Sequence, residues 1–126
     1  MGYCGDGMWT VLFSPEAEEW LETLADAEYA SIMAAIGLLE EVGPTLGRPA
    51  VDTITGSRHS NMKELRSFGG HLRALFAFDP QRQALVLLGG NKAGNWTGWY
   101  EQNIPAADDL YDDYLRYLKQ QNEDDR

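Results

Sequence analysis

The stretch "LRALFAFDPQRQALVLLGG", residues 72–90, joins two apolar runs through a proline-containing turn and is the strongest constraint on the fold. A connection as short as "DPQR" closes only an antiparallel hairpin, because a parallel crossover needs roughly a dozen residues or more. Setting Phe78 opposite Gln83 pairs Phe76 with Leu85 and Arg73 with Leu88. In that register Phe76 and Leu85 hold the core face. Extending it beyond Leu88 brings Lys92 onto the face of Arg73, provided that Gly89 and Gly90 do not break the pairing first.

The rest of the chain supplies what such a hairpin needs in order to be covered. "MWTVLF", residues 8–13, has strand composition. Ser14 then caps a helix with Pro15 in its first position and Glu16, Glu18 and Glu19 at its start, and Ala17, Trp20, Leu21 and Leu24 form its apolar stripe. Asp26 caps a second helix with Tyr29, Ile32, Met33, Ile36, Leu39 and Val42 on one side, stopped by Gly43 and Pro44. Residues 43–61 read as a long loop. "MKELR" at 62–66 is a third strand, and Pro105 opens a last helix with Ala107, Leu110, Tyr111, Tyr114, Leu115 and Leu118 facing inward.

The expected fold is therefore α+β: an N-terminal strand and a helical hairpin packed on an antiparallel sheet, then a C-terminal helix. A chain of 126 residues suits one domain, here 8–120, with 1–7 as a flexible leader and 121–126 as an acidic tail. No apolar run is long enough to span a membrane, and a single Cys4 with no signal-like N-terminus points to the cytoplasm.

Charge is unevenly distributed. The net charge is −10, yet residues 58–92 hold six bases (Arg58, Lys63, Arg66, Arg73, Arg82, Lys92) and both histidines against Glu64 and Asp79 alone. Placing Leu65 inward sends Glu64 and Arg66 to the opposite face of their strand, toward Arg73 and His71. Two histidines and one cysteine make no zinc motif, and there is no P-loop, dinucleotide fingerprint or nucleophile elbow, so neither metal nor cofactor is expected. Arg66, Arg73 and Lys92, with Trp96, Trp99 and Tyr100 nearby in the chain, suit a phosphate flanked by unpaired bases, as in single-stranded RNA. RNA is cleaved without metal when its 2′-hydroxyl attacks the adjacent phosphate, if a protein aligns the strand and stabilises the phosphorane.

Each of these residues also has a structural reading. The aromatic trio can cover the sheet end, Lys63 can lie along a sheet edge, and His59 can belong to a surface loop. Glu64 is either a general base or the ion-pair partner of a neighbouring cation. His71 is balanced between the site and the surface.

Taken in order, "SRHSNMKELR", "LRALFAFDPQRQALVLLGGNKAGNW" and "WYEQNIPAADDLYDDYL" resemble the HigB-type branch of the RelE/ParE toxin superfamily over residues 9–118. The resemblance implies a RelE-like fold and the toxin of a type II toxin–antitoxin system. It implies a metal-independent endoribonuclease that cuts mRNA in the ribosomal A site, blocks translation and leaves a 2′,3′-cyclic phosphate. The implied partner is a helix-turn-helix, HigA-like antitoxin. Carried over by position, the catalytic set is Arg66, Arg73, Lys92 and Tyr100; Glu64, His71, Trp96 and Trp99, placed near them by strand face and chain position, are the candidates for contacting substrate. Two other functions are compatible with the same fold: a ParE-like gyrase poison, and a non-catalytic antitoxin-binding module, which the acidic balance favours.

Overall fold

The computed structural model describes residues 8–91 and 96–124, with side chains described for 8–91 and 98–123. The leader 1–7, Lys92 and the last two residues lie outside the described residues. The elements run β1 (Thr10–Phe13), α1 (Pro15–Glu22), α2 (Asp26–Val42), a 3₁₀ turn, β2 (Val51–Thr53), β3 (Met62–Arg66), β4 (Leu72–Phe78), β5 (Gln83–Asn91) and α3 (Trp96–Asp124).

The local signals for α1 hold: Ser14 accepts the Ala17 N–H at 3.0 Å, and Pro15 occupies the first turn. The Ser14 hydroxyl also donates to the Leu87 carbonyl at 2.6 Å, which ties the start of α1 to β5. For α2 the cap residue is Ala25 rather than Asp26, and its N–H is taken by the Glu28 carboxylate at 3.0 Å. Ile32, Ala35, Ile36 and Leu39 are buried, whereas Tyr29 and Val42 at the two ends of the expected stripe are exposed.

The five strands form one sheet in the order β1-β5-β4-β3-β2. The fold is α+β as expected, but the sheet is mixed, because β1 lies parallel to β5 along Thr10–Phe13 and Gln83–Val86. Val51–Thr53, inside the segment read as loop, pairs with β3 as an edge strand. Three residues between glycines and prolines carry too little pattern to show this.

Both faces of the sheet are covered. Phe76, Ala74, Ala84 and Val86 pack with α1 and α2, while Leu75, Ala77, Leu85 and Leu87 pack with Ile104, Ala107 and Tyr111 of α3. Phe76 and Leu85 thus lie on opposite faces, contrary to the register read from the turn. Phe78 pairs with Ala84, an irregularity between Leu75 and Phe76 shifts the ladder again, and Arg73 meets Gly90 instead of Leu88. The irregularity leaves Leu87 as an extra residue on β5, a slip that composition does not encode.

Helix α3 starts at Trp96, nine residues before Pro105, which sits inside it, and runs on through Gln121–Asp124 of the expected tail. Proline removes the donor for the Glu101 carbonyl. Glu101 is exposed to water, and the burial of Ile104 and Ala107 on either side of the proline holds the helix to the sheet. No helix among the described residues is long and apolar enough to cross a membrane.

Candidate active site

Strand parity assembles the site. Arg66 on β3 pairs with Arg73 on β4, Glu64 lies two residues before Arg66 on the same face, and Asp52 on β2 sits opposite Glu64. α3 covers part of this face and brings in Tyr100. The sheet thus brings Glu64, Arg66 and Arg73 together as parity implies and α3 adds Tyr100, whereas His71, expected on the same face, is exposed.

Glu64 is the hub. Its side chain is only 2% exposed; Oε1 accepts the Arg66 Nε–H at 3.0 Å and stands 3.8 Å from Arg73 Nε, while Oε2 accepts the Tyr100 hydroxyl. A carboxylate this deep survives because two guanidinium groups and a phenol replace its water. Burial, and then the hydrogen bond to Glu64, pushes the Tyr100 phenol up to about 12, so it stays protonated at neutral pH.

The two arginines differ. Arg73, with 9% of its side chain exposed, donates through Nη1 to the Gly70 and Leu72 carbonyls at 3.2 and 2.9 Å. Its Nε–H, near Glu64 but beyond hydrogen-bond distance, has no hydrogen-bond partner among the described residues. Arg66 is 30% exposed and spends its Nε–H on Glu64 and one Nη2–H on Asp52 Oδ2, at 3.1 Å. A guanidinium carries five N–H groups, so three donors on Arg66 meet no partner among the described residues. Arg48 reaches the same Asp52 oxygen at 3.1 Å and, ahead of burial and the other contacts, holds that carboxyl below its usual value. Asp52 and Arg48 lie on and beside the unexpected strand β2, so no sequence signal placed them here.

A cleft of about 720 Å³ opens beside this cluster, lined by Glu64, Arg66 and Tyr100 together with Thr53–Gly56, Glu101, Ile104 and Pro105. Arg73 is not part of its lining, so its place is behind Glu64 and not against a ligand. Trp99 packs edge-on to Tyr100 with ring centroids 5.1 Å apart. A Cβ on Gly90 would come within 2.2 Å of the Trp99 indole, and one on Gly89 within 2.1 Å of Trp20. This glycine pair therefore makes room for two tryptophans. His71 is exposed ahead of β4 and makes no contact with the cluster among the described residues. The Trp96 side chain lies outside the described residues, as does Lys92.

Arg58 and His59, in the same cationic stretch of sequence, go elsewhere. The Arg58 guanidinium reaches Asp109 and Asp112, its backbone N–H donates to Asp108 at 2.8 Å, and His59 Nε2 lies 2.8 Å from Asp112. The Ser57 hydroxyl also donates to Asp108, which is 1% exposed. These contacts strap the β2–β3 loop to α3.

This arrangement of sheet and helices is the RelE toxin fold. The chain superposes on the isolated Escherichia coli RelE toxin with a TM-score of 0.56 at 9% identity, over 75% of this chain and 97% of that one. With the archaeal RelE–RelB complex of Pyrococcus horikoshii the TM-score is 0.53 at 16% identity, over 69% and 98%. At such identities the likeness establishes the fold alone; sequence narrows the class. Residues 19–112 match the phage-derived Gp49-like protein family. The chain is 53% identical over 105 residues to a Mycobacterium tuberculosis relative named as toxin HigB3, covering 83% of this chain and 92% of the relative. It is 56% identical over 99 residues to one named as toxin HigB2, covering 76% of this chain but only 49% of that relative, about half its length. The chain belongs to the Gp49-like family and to the HigB toxins, and it carries the RelE fold.

Proposed function

We propose that this toxin is a metal-independent endoribonuclease that cuts mRNA on the ribosome, and that an antitoxin of the helix-turn-helix, HigA-like kind holds it inactive. The observation that carries the reading is Arg66: a half-buried guanidinium, oriented by Glu64 and Asp52, that lines a nucleotide-sized cleft with three donors unpartnered among the described residues. Such a group clamps a phosphate and stabilises the charge that grows on it as the 2′-hydroxyl attacks.

The attacking oxygen must lose a proton as the P–O2′ bond forms, and the leaving 5′ oxygen must gain one as the P–O5′ bond breaks. Tyr100 is suited to the first transfer as a relay. Its oxygen accepts the 2′ proton while its own passes to Glu64, and the raised phenol value disfavours a free phenolate along the way. Arg73 acts through Glu64 as a positioning residue. Lys92, which follows β5 in the sequence, is assigned the proton for the leaving oxygen on its chemistry. The products are a 2′,3′-cyclic phosphate and a 5′-hydroxyl. The RelE–RelB complex with the same fold supports an antitoxin partner.

The complete pairing of Glu64 and the burial of Arg73 favour a second reading, a toxin fold kept as a non-catalytic antitoxin-binding module. Induced expression in a bacterial host followed by mapping of mRNA 5′ ends separates the two. Cleavage within translated frames that vanishes with Arg66→Ala supports the nuclease, and intact mRNA with normal growth supports the module.

A further inference from the structure

Two hollows meet at the edge strand β2. Thr53 lines the cleft that holds Arg66 and also a second hollow of about 290 Å³, whose lining includes Arg48, Asp52 and Lys63. Asp52 ties the two together. Its Oδ2 accepts from Nη2 of Arg66 and from Nη2 of Arg48, each at 3.1 Å, so the two guanidinium groups stand within twice that distance of each other. Arg48 is the more accessible, with 77% of its side chain exposed, and its other four N–H groups meet no partner among the described residues. Lys63 lies opposite Thr53 in the β2–β3 ladder, and its ammonium makes no ion pair or hydrogen bond among the described residues. Solvated cations along a sheet edge are ordinary. A carboxylate that draws a long, exposed arginine toward a second arginine is not, because the two like charges repel unless something spends the pair on a common anion.

We propose that Arg48 is a second phosphate-holding residue, and that the RNA strand crosses the β2 edge from the cleft with the neighbouring phosphate on Arg48 and Lys63. The inference rests on the nuclease reading, which puts the reacting phosphate at Arg66, and adds where the next one goes. Successive phosphates along a strand are separated by a distance of the same order as the spacing that Asp52 imposes on the two guanidinium groups. Asp52 spends its charge on both arginines, so the trio keeps a net positive charge, and Lys63 adds to it. A cationic track of this kind follows the backbone and reads no base, since the phosphate recurs at every nucleotide. Arg48 touches no reacting atom. Its part is to hold the strand on line so that the phosphate at Arg66 is presented for attack.

The test is calorimetric binding, to the full chain, of two 2′-O-methyl oligonucleotides that cannot be cut: a dinucleotide with one phosphate and a trinucleotide with two. Wild type binds the trinucleotide about fivefold more tightly, the scale of one exposed ion pair. The slope of log K against log salt is also steeper by about 0.7, the increment for one more phosphate on a single strand. Arg48→Ala erases both differences and leaves the dinucleotide unchanged, Arg48→Lys restores part of them, and Arg66→Ala weakens both ligands. If Arg48 serves only to orient Asp52 and Arg66, Arg48→Ala weakens the dinucleotide as well. That result, equal binding of the two ligands by wild type, or binding of neither overturns the track. So does a triglutamate peptide that depends on Arg48 as strongly as the trinucleotide, which would assign this edge to an acidic protein segment. Cleavage of mRNA on programmed ribosomes separates the track from the parent reading. Arg48-dependent trinucleotide binding with intact mRNA removes the nuclease and leaves the track. Cleavage in which Arg48→Ala raises KM at unchanged kcat is the expected result, and cleavage in which it leaves KM untouched removes the track and leaves the nuclease.

Discussion

Two clusters of opposite charges flank α3, and they differ in burial and in what lies beside them. In the strap, the Asp108 and Asp112 carboxylates take up the Ser57 hydroxyl, the Arg58 backbone N–H and guanidinium, and the His59 ring. In the cleft, Glu64 and Asp52 orient Arg66, and three of its five donors have no partner among the described residues. Both sets of bases come from the same cationic stretch of sequence, so local charge does not separate a fastening from a site. Donor counting alone does not either, since Arg58 donates only through Nη2 and Arg66 only through Nε and Nη2; what sets Arg66 apart is that it is 30% exposed against 52% for Arg58 and lines a cleft.

The largest expected effect tests that distinction directly. Arg66→Ala lowers the rate of mRNA cleavage by about 10²- to 10³-fold, the usual loss when one donor to a developing charge is removed. Arg58→Ala leaves the rate within a small factor, measured on the same programmed ribosomes; equal losses would abolish the contrast. Next, Asp108→Ala leaves the Arg58 N–H without its acceptor in a largely buried place and costs about 3 kcal/mol of stability by urea denaturation. The cleft counterpart, Tyr100→Phe, lowers cleavage while leaving most of the stability in place.

Tyr100 sharpens the comparison through pH. Its value rises from 10.0 to about 12 on folding, so its contribution to stability is whole below pH 10.0 and is lost as pH rises through about 12. A phenolate absorbance titration of wild type against Tyr100→Phe shows one late-titrating phenol missing in the variant. The smallest effect lies in the strap at the other end of the scale. Arg58 and then His59 lower the carboxyl of Asp112, whose contribution is present above its ordinary 3.8 and lost as pH falls through its lower folded value. Asp112→Asn flattens that acid limb, and salt weakens the effect because the pair is exposed.

The parts of the site legible in the sequence were those fixed by period alone. Leu65 inward puts Glu64 and Arg66 on one face, and the β4 parity adds Arg73, whatever the register. Ser14 and Pro15 likewise announce α1 through side-chain chemistry that needs no distant partner. What was hidden depends on contacts far along the chain. β1 is parallel because its partner is β5, some seventy residues later in the sequence. α3 begins before Pro105 because Ile104 is buried against the sheet, overriding the strongest helix-start signal in the segment. Asp52 was invisible because β2 is too short to show a pattern, and the burial that sets Arg73 apart from Arg66 follows from where α3 crosses the sheet. Tyr100 was singled out only as an aromatic near the cationic stretch, its catalytic role came from the resemblance to HigB-type toxins, and no periodicity links it to β3.

The two glycines at the end of β5 carry a consequence of another kind. Gly89 receives the ring of Trp20 from one side of the sheet and Gly90 that of Trp99 from the other. The hairpin is thereby clamped between two indoles, one rooted in α1 and one in the helix that walls the cleft. A single methyl at Gly90 would act as a wedge against the Trp99 ring, prying at the seat of α3 without altering one charged or hydrogen-bonding side chain. The seating of this helix on the sheet thus depends on the absence of a side chain.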